Sequence, residues 1–181
     1  MTDHAWLYDL VDPDDQVRGR ALEHQRARVA EGRGIGEPIA AFLGSYLVAD
    51  MRFARFALLF LRWEACYPSD WRAPELNLYS PWSMKEQVLR KFGKFGVPDA
   101  LRSEAESLVL AAIHRPYRCK DWHYARLVRH LPTSALSELV RDPDPLVAAR
   151  AQFLLHVADH PGGPLNRNSW QRWLDNRTDV R

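Results

Sequence analysis

The sequence predicts an all-α fold, a short right-handed α-solenoid of about nine or ten helices stacked in pairs, with residues 1–181 forming one domain. Three observations lead there. Asp12-Pro13-Asp14-Asp15-Gln16-Val17-Arg18-Gly19-Arg20-Ala21 returns as Asp142-Pro143-Asp144-Pro145-Leu146-Val147-Ala148-Ala149-Arg150-Ala151, with six of ten positions matching at an offset of 130. Each copy follows one apolar segment and opens a longer amphipathic one, so the copied unit is a turn between two helices. No window alternates Val, Ile or Thr around hairpin signals, so strands are not expected.

The elements follow in order. Trp6, Leu7, Leu10 and Val11 sit at helical spacing, and the first helix stops before Pro13, because the residue preceding a proline is pushed out of the helical region. Asp14 or Asp15 caps a second helix, with Val17, Ala21, Leu22 and Val29 inward, that runs to the break at Gly32–Gly36. Pro38 suits a first helical position and starts Ile39, Phe42, Leu43, Tyr46 and Leu47. Asp50 can cap a long helix from Met51 to about Tyr67, apolar nearly all round except for a stripe of Arg52, Arg55 and Arg62, and therefore central. Residues 68–81, with Pro68, Pro74 and Pro81, read as one long irregular loop, the kind of segment that tends to carry function.

Ser80-Pro81 opens a helix through Val88, Leu89 and Phe92 that ends at Gly93 or Gly96. Asp99 caps the next, whose inward face is Leu101, Ala105, Leu108, Val109, Ala112 and Ile113. Asp121 caps Trp122 to Leu131, and Thr133 or Ser134 caps a short helix before the second corner. Pro145 leads Val147, Ala151, Leu154, Leu155 and Ala158 inward until Pro161-Gly162-Gly163-Pro164 stops the helix, and Trp170 to Asp175 closes the stack.

A chain of 181 residues can bury a core without staples. Cys66 and Cys119 stand 53 apart without a CxxC partner, so neither a disulfide framework nor structural zinc is expected, and the reducing cytoplasm is the natural compartment. The first 30 residues are charged and show no signal peptide, and the longest apolar run, Phe56 to Leu61, is far too short to cross a bilayer; no membrane partner is expected. The net charge of +2 conceals an asymmetry. Residues 1–84 hold 9 basic and 12 acidic side chains, a charge of −3, and residues 85–181 hold 16 and 11, a charge of +5. The acidic extreme is the first 17 residues, where Asp3, Asp9, Asp12, Asp14 and Asp15 stand with no Lys or Arg.

The corner residues Asp12, Asp14, Val17, Arg20 and Ala21, matched by Asp142, Asp144, Val147, Arg150 and Ala151, resemble the turn of HEAT-like α-helical repeats. The aspartates satisfy free amides and face the helix dipole, valine and alanine pack, and the arginine can reach an acceptor in the neighbouring turn. The two ends of the chain carry the motif, while the middle matches by helix alternation alone. The resemblance implies a curved stack of HEAT-like pairs with a concave face that holds a protein and sometimes nucleic acid; it carries over no catalytic residue. Among small bacterial proteins of this kind, the chain resembles immunity proteins of contact-dependent or polymorphic toxin systems.

For a protein partner, the candidate residues are the acidic edge Asp3, Asp9, Asp12, Asp14 and Asp15, which would meet the basic groove of a nuclease toxin, and Trp71, Tyr79 and Trp82 around the proline-rich loop, since Trp and Tyr anchor interfaces. For nucleic acid, the candidates lie in 115–130, where Arg115, Arg118, Lys120, Trp122, Arg126 and Arg129 interleave basic and aromatic groups. The competing structural reading buries the aromatic bodies and arginine stems and leaves only the heads in water. The resemblance to HEAT-like DNA glycosylases would make Asp121 an acid and Trp122 a stacking group.

His156-Val157-Ala158-Asp159-His160 looks like the inverted zinc-hydrolase pattern but departs from it in the acid, and it abuts Pro161 with no further ligand. Two histidines favoured by a helix C-terminus are the simpler reading. Gly32 to Gly36 lacks the strand and Gly-Lys-Ser of a phosphate loop, and no serine or cysteine stands in a nucleophile motif. The expectation is a non-catalytic binding protein without cofactor or metal, with a toxin domain as partner and nucleic acid as the alternative.

Overall fold

The computed structural model describes residues 4–45, 51–163 and 165–178; Asp3, Tyr46, Leu47, Asp50 and Pro164 of the sequence lie outside them. All regular structure among these residues is helical, ten α-helical segments and four 3-10 turns, with no strand. The chain divides into two compact units, Met1–Val88 and Leu89–Arg181.

In the first unit, Ala5–Val11 forms a 3-10 turn that buries Leu7, Leu10 and Val11 and ends at the extended Asp12 before Pro13. α1 (Asp15–Ala30) is capped by Asp14. Its expected inward residues Val17, Leu22 and Val29 are only half-buried, and Gln25 joins Ala21 in the interior instead. Gln25 satisfies itself there: its Nε2 donates to the Leu76 carbonyl at 2.9 Å and its Oε1 accepts from the Ile35 amide at 3.1 Å. Gly34, at φ +91°, lies so close that a Cβ would stand 2.7 Å from Gln25 Oε1. α2 (Gly36–Gly44) begins two residues before Pro38.

α3 (Met51–Cys66) packs against α2, the 5–11 turn and α4 (Pro68–Trp71), which makes it the centre of the unit. It buries the run from Phe56 to Leu61 with Trp63 and exposes Arg52, Arg55 and Arg62. The stretch 68–81 is more ordered than its prolines suggest. It contains α4 and the 3-10 turn Pro74–Leu76, and Asn77 Nδ2 ties it together by donating to the carbonyls of Trp71 (2.7 Å) and Ala73 (3.0 Å). α5 (Pro81–Phe95) follows, and the division between the units falls within it. On its first part Lys85 Nζ lies 3.4 Å from Glu64 Oε1, with both side chains fully buried. Such a pair carries a large desolvation cost, which only mutual attraction and further polar contacts offset.

In the second unit, α5 ends at Gly96, whose φ is +93°. Gly93, a possible end by sequence, stays inside the helix and is buried. Asp99 opens the 3-10 turn Asp99–Leu101 and pairs with Arg102 at 2.8 Å, so it does not cap α6 (Arg102–His114) as expected. The buried face of α6 is Ala105, Leu108, Val109, Ala112 and Ile113. The single helix expected over Trp122–Leu131 is instead the 3-10 turn Asp121–Tyr124 followed by α7 (Ala125–Val128), and the residue before it is Lys120 at φ +69°. α8 (Ser134–Leu139) has no side-chain cap from Thr133. α9 (Pro145–Asp159) packs on α6, α7, α8 and α10 (Arg167–Thr178). α10 docks through Trp170, edge-on to Phe153 at 4.8 Å, and through Trp173, whose Nε1 donates to the Ala149 carbonyl at 3.0 Å.

The two corners that share sequence also share geometry. Asp12 Oδ1 accepts from the Asp14 amide at 2.8 Å, and Asp142 Oδ1 accepts from the Asp144 amide at 2.9 Å. Asp14 (φ −74°, ψ 116°) accepts from the amides of Gln16 and Val17, and Asp144 (φ −77°, ψ 112°) accepts from that of Leu146. Each aspartate thus consumes an orphan donor at the start of a helix, where its charge also faces the positive end of the dipole.

Candidate functional site

The acidic edge is built on the first corner. Asp14 and Asp15 are exposed, Asp9 and Asp12 half-buried. Asp12 and Asp14 each hold a backbone amide with one carboxylate oxygen, which pins the direction in which the carboxylates point. Arg18 organises the rest. Its guanidinium bonds to the Asp15 carboxylate, donates to the Asp12 carbonyl at 3.1 Å, lies 3.7 Å from Asp70 Oδ2 and stacks over the Tyr67 ring at 4.0 Å. The hydrogen bond to Asp15 raises its already high pKa, against the effect of burial and with help from Tyr67, Asp15 and Asp70. Tyr67 also donates its hydroxyl to the Asp12 carbonyl at 3.1 Å.

Asp70 therefore belongs to this corner, beside Asp12 and Asp15, although 55 residues separate it from Asp15 and no sequence pattern marks it. Two carboxylates, those of Asp15 and Asp70, stand about the Arg18 guanidinium, while those of Asp12 and Asp14 hold backbone amides of the same corner.

The loop aromatics separate. Trp71 is wholly buried, between Phe60 (5.2 Å) and the edge of Trp82 (4.8 Å), so it packs the core and has no face to offer a partner. Trp82 is half-buried, and Tyr79 is 66% exposed. Of the three, Tyr79 is the one that presents its ring to solvent.

In the basic segment of the second unit, much of the charge is spent internally. Arg115 Nη2 donates to Asp121 Oδ1 at 2.8 Å, and the Arg118 amide donates to Asp121 Oδ2 at 2.7 Å, which fixes the loop between them. Asp121 is 3% exposed, so it is a structural tie and not the helix cap read from sequence. Trp122 is buried beneath Tyr117, whose ring stacks on it at 5.9 Å and 10°. Partial burial, with the charges of Cys119 and Asp121, holds the Tyr117 phenol above its ordinary range. Arg126 Nε donates to His123 Nδ1 at 3.2 Å. Arg118, Lys120 and Arg126 are half-buried and Arg129 is exposed.

His156 and His160 stack at 4.4 Å, with Trp173 on the other face of His156 at 4.7 Å, and His160 Nδ1 lies 2.9 Å from the His156 carbonyl. Parallel rings do not converge on a common point. Among the described residues no group of three or more His, Cys, Asp or Glu side chains can hold a metal ion, and no helix is long and apolar enough to cross a membrane. Cys66 and Cys119 are exposed free thiols. The chain matches no family model, no curated protein and no solved structure.

Proposed function

We propose that this chain is a non-catalytic helical-repeat protein that binds another protein, and specifically an immunity protein that neutralises a bacterial toxin, a nuclease being the case its charge suits best. The HEAT-like α-solenoid and the cytoplasmic compartment belong to the same reading. The observation that carries it is the first corner: exposed Asp14 and Asp15, with Asp12 and Asp70 beside them, held by backbone and Arg18 contacts before any partner arrives. Carboxylates fixed in advance cost little ordering entropy on binding, and an anionic edge both steers toward and fits a cationic substrate groove. Tyr79 adds the kind of exposed aromatic that anchors an interface.

The test is co-expression with the product of the neighbouring reading frame, followed by association kinetics. Wild type is expected to co-purify and to suppress toxicity. Asp9→Lys with Asp15→Lys, which leaves the capping carboxylates intact, is expected to slow association about tenfold or more at low salt, and Tyr79→Ala to speed dissociation. Failure of the pair to associate, or charge reversal without effect on the rate, overturns the reading.

A further inference from the structure

The end of α5 carries a tandem tripeptide, Lys91-Phe92-Gly93 and Lys94-Phe95-Gly96. Three residues along a helix turn a side chain by about 300°, about 60° short of a full turn, so the two phenylalanines are neighbours, yet burial of one does not carry the other with it. Phe92 enters the core at 1% exposure and Phe95 stays out at 40%. Lys94, in the last turn, is explained by the helix dipole alone; an exposed phenyl ring beside it is not. Both ammonium groups attend that ring, Lys94 Nζ at 4.9 Å and Lys91 Nζ at 6.0 Å from its centroid.

The glycines bring α7 and the residues after it to this end of α5. A Cβ on Gly93 would lie 2.5 Å from Arg126 Cβ, so only glycine admits α7 this closely. His130 Nε2 then sits 3.0 Å from the Gly93 carbonyl, with Arg129 Nε 3.1 Å from the same ring nitrogen and the Arg129 side chain exposed. Gly96, at φ +93°, ends the helix beside the His130 ring. Residues 87–98 and 122–137, the two segments that meet here, contain five Lys or Arg and no Asp or Glu.

We propose that this surface binds single-stranded nucleic acid, one base stacking on Phe95 while Lys91, Lys94 and Arg129 meet adjacent phosphates. The exposed ring decides the class of ligand. A carboxylate-rich peptide is satisfied by cations alone, whereas a ligand that alternates flat apolar faces with anions uses ring and cations together. A duplex keeps its base faces stacked on one another, so the strand must be single. Residues 9–15 and Tyr79 play no part, and the inference stands or falls separately from the protein-partner reading.

The experiment is fluorescence anisotropy of the full chain with labelled dT16 and rU16 across about 50–200 mM salt. Three phosphate contacts give a slope of log K against log salt of about −2, and Lys94→Glu with Arg129→Glu is expected to reduce it by about 1.4. Phe95→Ala and Phe95→Leu are each expected to weaken binding about fivefold to a hundredfold, with Phe95→Trp retaining it. Leu146→Ala, at another exposed apolar side chain, serves as control and is expected to change nothing. No binding at the lowest salt, equal affinity of Phe95→Leu and wild type, or displacement of dT16 by polyglutamate at equal charge concentration overturns the proposal, the last in favour of an acidic protein.

Discussion

The guanidinium of Arg150 donates a 2.7 Å hydrogen bond to the main-chain carbonyl of Ile113, at the last turn of α6. The same nitrogen reaches the Arg115 carbonyl at 2.8 Å. A helix leaves its final carbonyls without intrahelical partners, and these two are satisfied by a charge delivered from α9, which also opposes the negative end of the dipole. Arg20 holds the equivalent position in the first corner and is exposed; there the neighbouring Arg18 does comparable work on the Asp12 carbonyl.

This asymmetry gives a paired expectation. Arg150→Met keeps the aliphatic stem but strands two carbonyls, one of them in a buried setting, and is expected to lower unfolding free energy by about 2–4 kcal/mol. Arg20→Ala is expected to stay within about 0.5 kcal/mol of wild type, as exposed substitutions do. Urea midpoints for the two variants, measured at constant slope, check both.

Tyr117 supplies a pH expectation. Partial burial and the nearby negative charges of Cys119 and Asp121 keep its phenol protonated beyond the range in which an unfolded tyrosine ionises, near 10. Above that pH the unfolded chain sheds a proton that the folded chain retains, so stability is complete below the unfolded value and falls as pH rises toward the folded one. Tyr117→Phe is expected to flatten the decline between about pH 9, where it has barely begun, and about pH 11, where the unfolded phenol is ionised. Denaturant midpoints at the two pH values provide the comparison; an equal decline in both proteins means that the phenol is not held back.

How far the fold was legible depended on the distance over which each contact acts. Asp14 and Asp144 were readable as caps because a carboxylate two residues before an amide needs nothing beyond its own turn. The centrality of α3 was readable because its apolar residues surround the axis. Gln25 was not: its acceptor, Leu76, lies 51 residues away. Glu64 and Lys85 are silent for the same reason, since neither residue type signals burial without its partner. Asp121 misled in another way. It sits where a cap would sit, but Arg115 and the Arg118 amide claim its oxygens, and the helix starts in a 3-10 turn instead. Of the acidic edge, Asp9, Asp12, Asp14 and Asp15 were found by composition, while Asp70 needed the fold to bring it to Arg18.

Two helical glycines separate propensity from packing. Alanine is favoured over glycine in a helix interior by about 1 kcal/mol, so a Gly→Ala change should stabilise wherever space allows. In α1, a Cβ on Gly19 would find nothing within 4 Å, and Gly19→Ala is expected to raise stability by about 0.5–1 kcal/mol. At Gly93 the same atom would meet Arg126 Cβ at 2.5 Å and the Arg126 carbonyl at 3.2 Å, both on or next to the backbone and unable to swing aside. Overpacking of this kind costs about 1–3 kcal/mol, more than the propensity gain, so Gly93→Ala is expected to destabilise. Thermal unfolding of the two variants side by side reads the sign of each change, and a stabilised Gly93→Ala would mean that the 126–130 turn does not lie against α5.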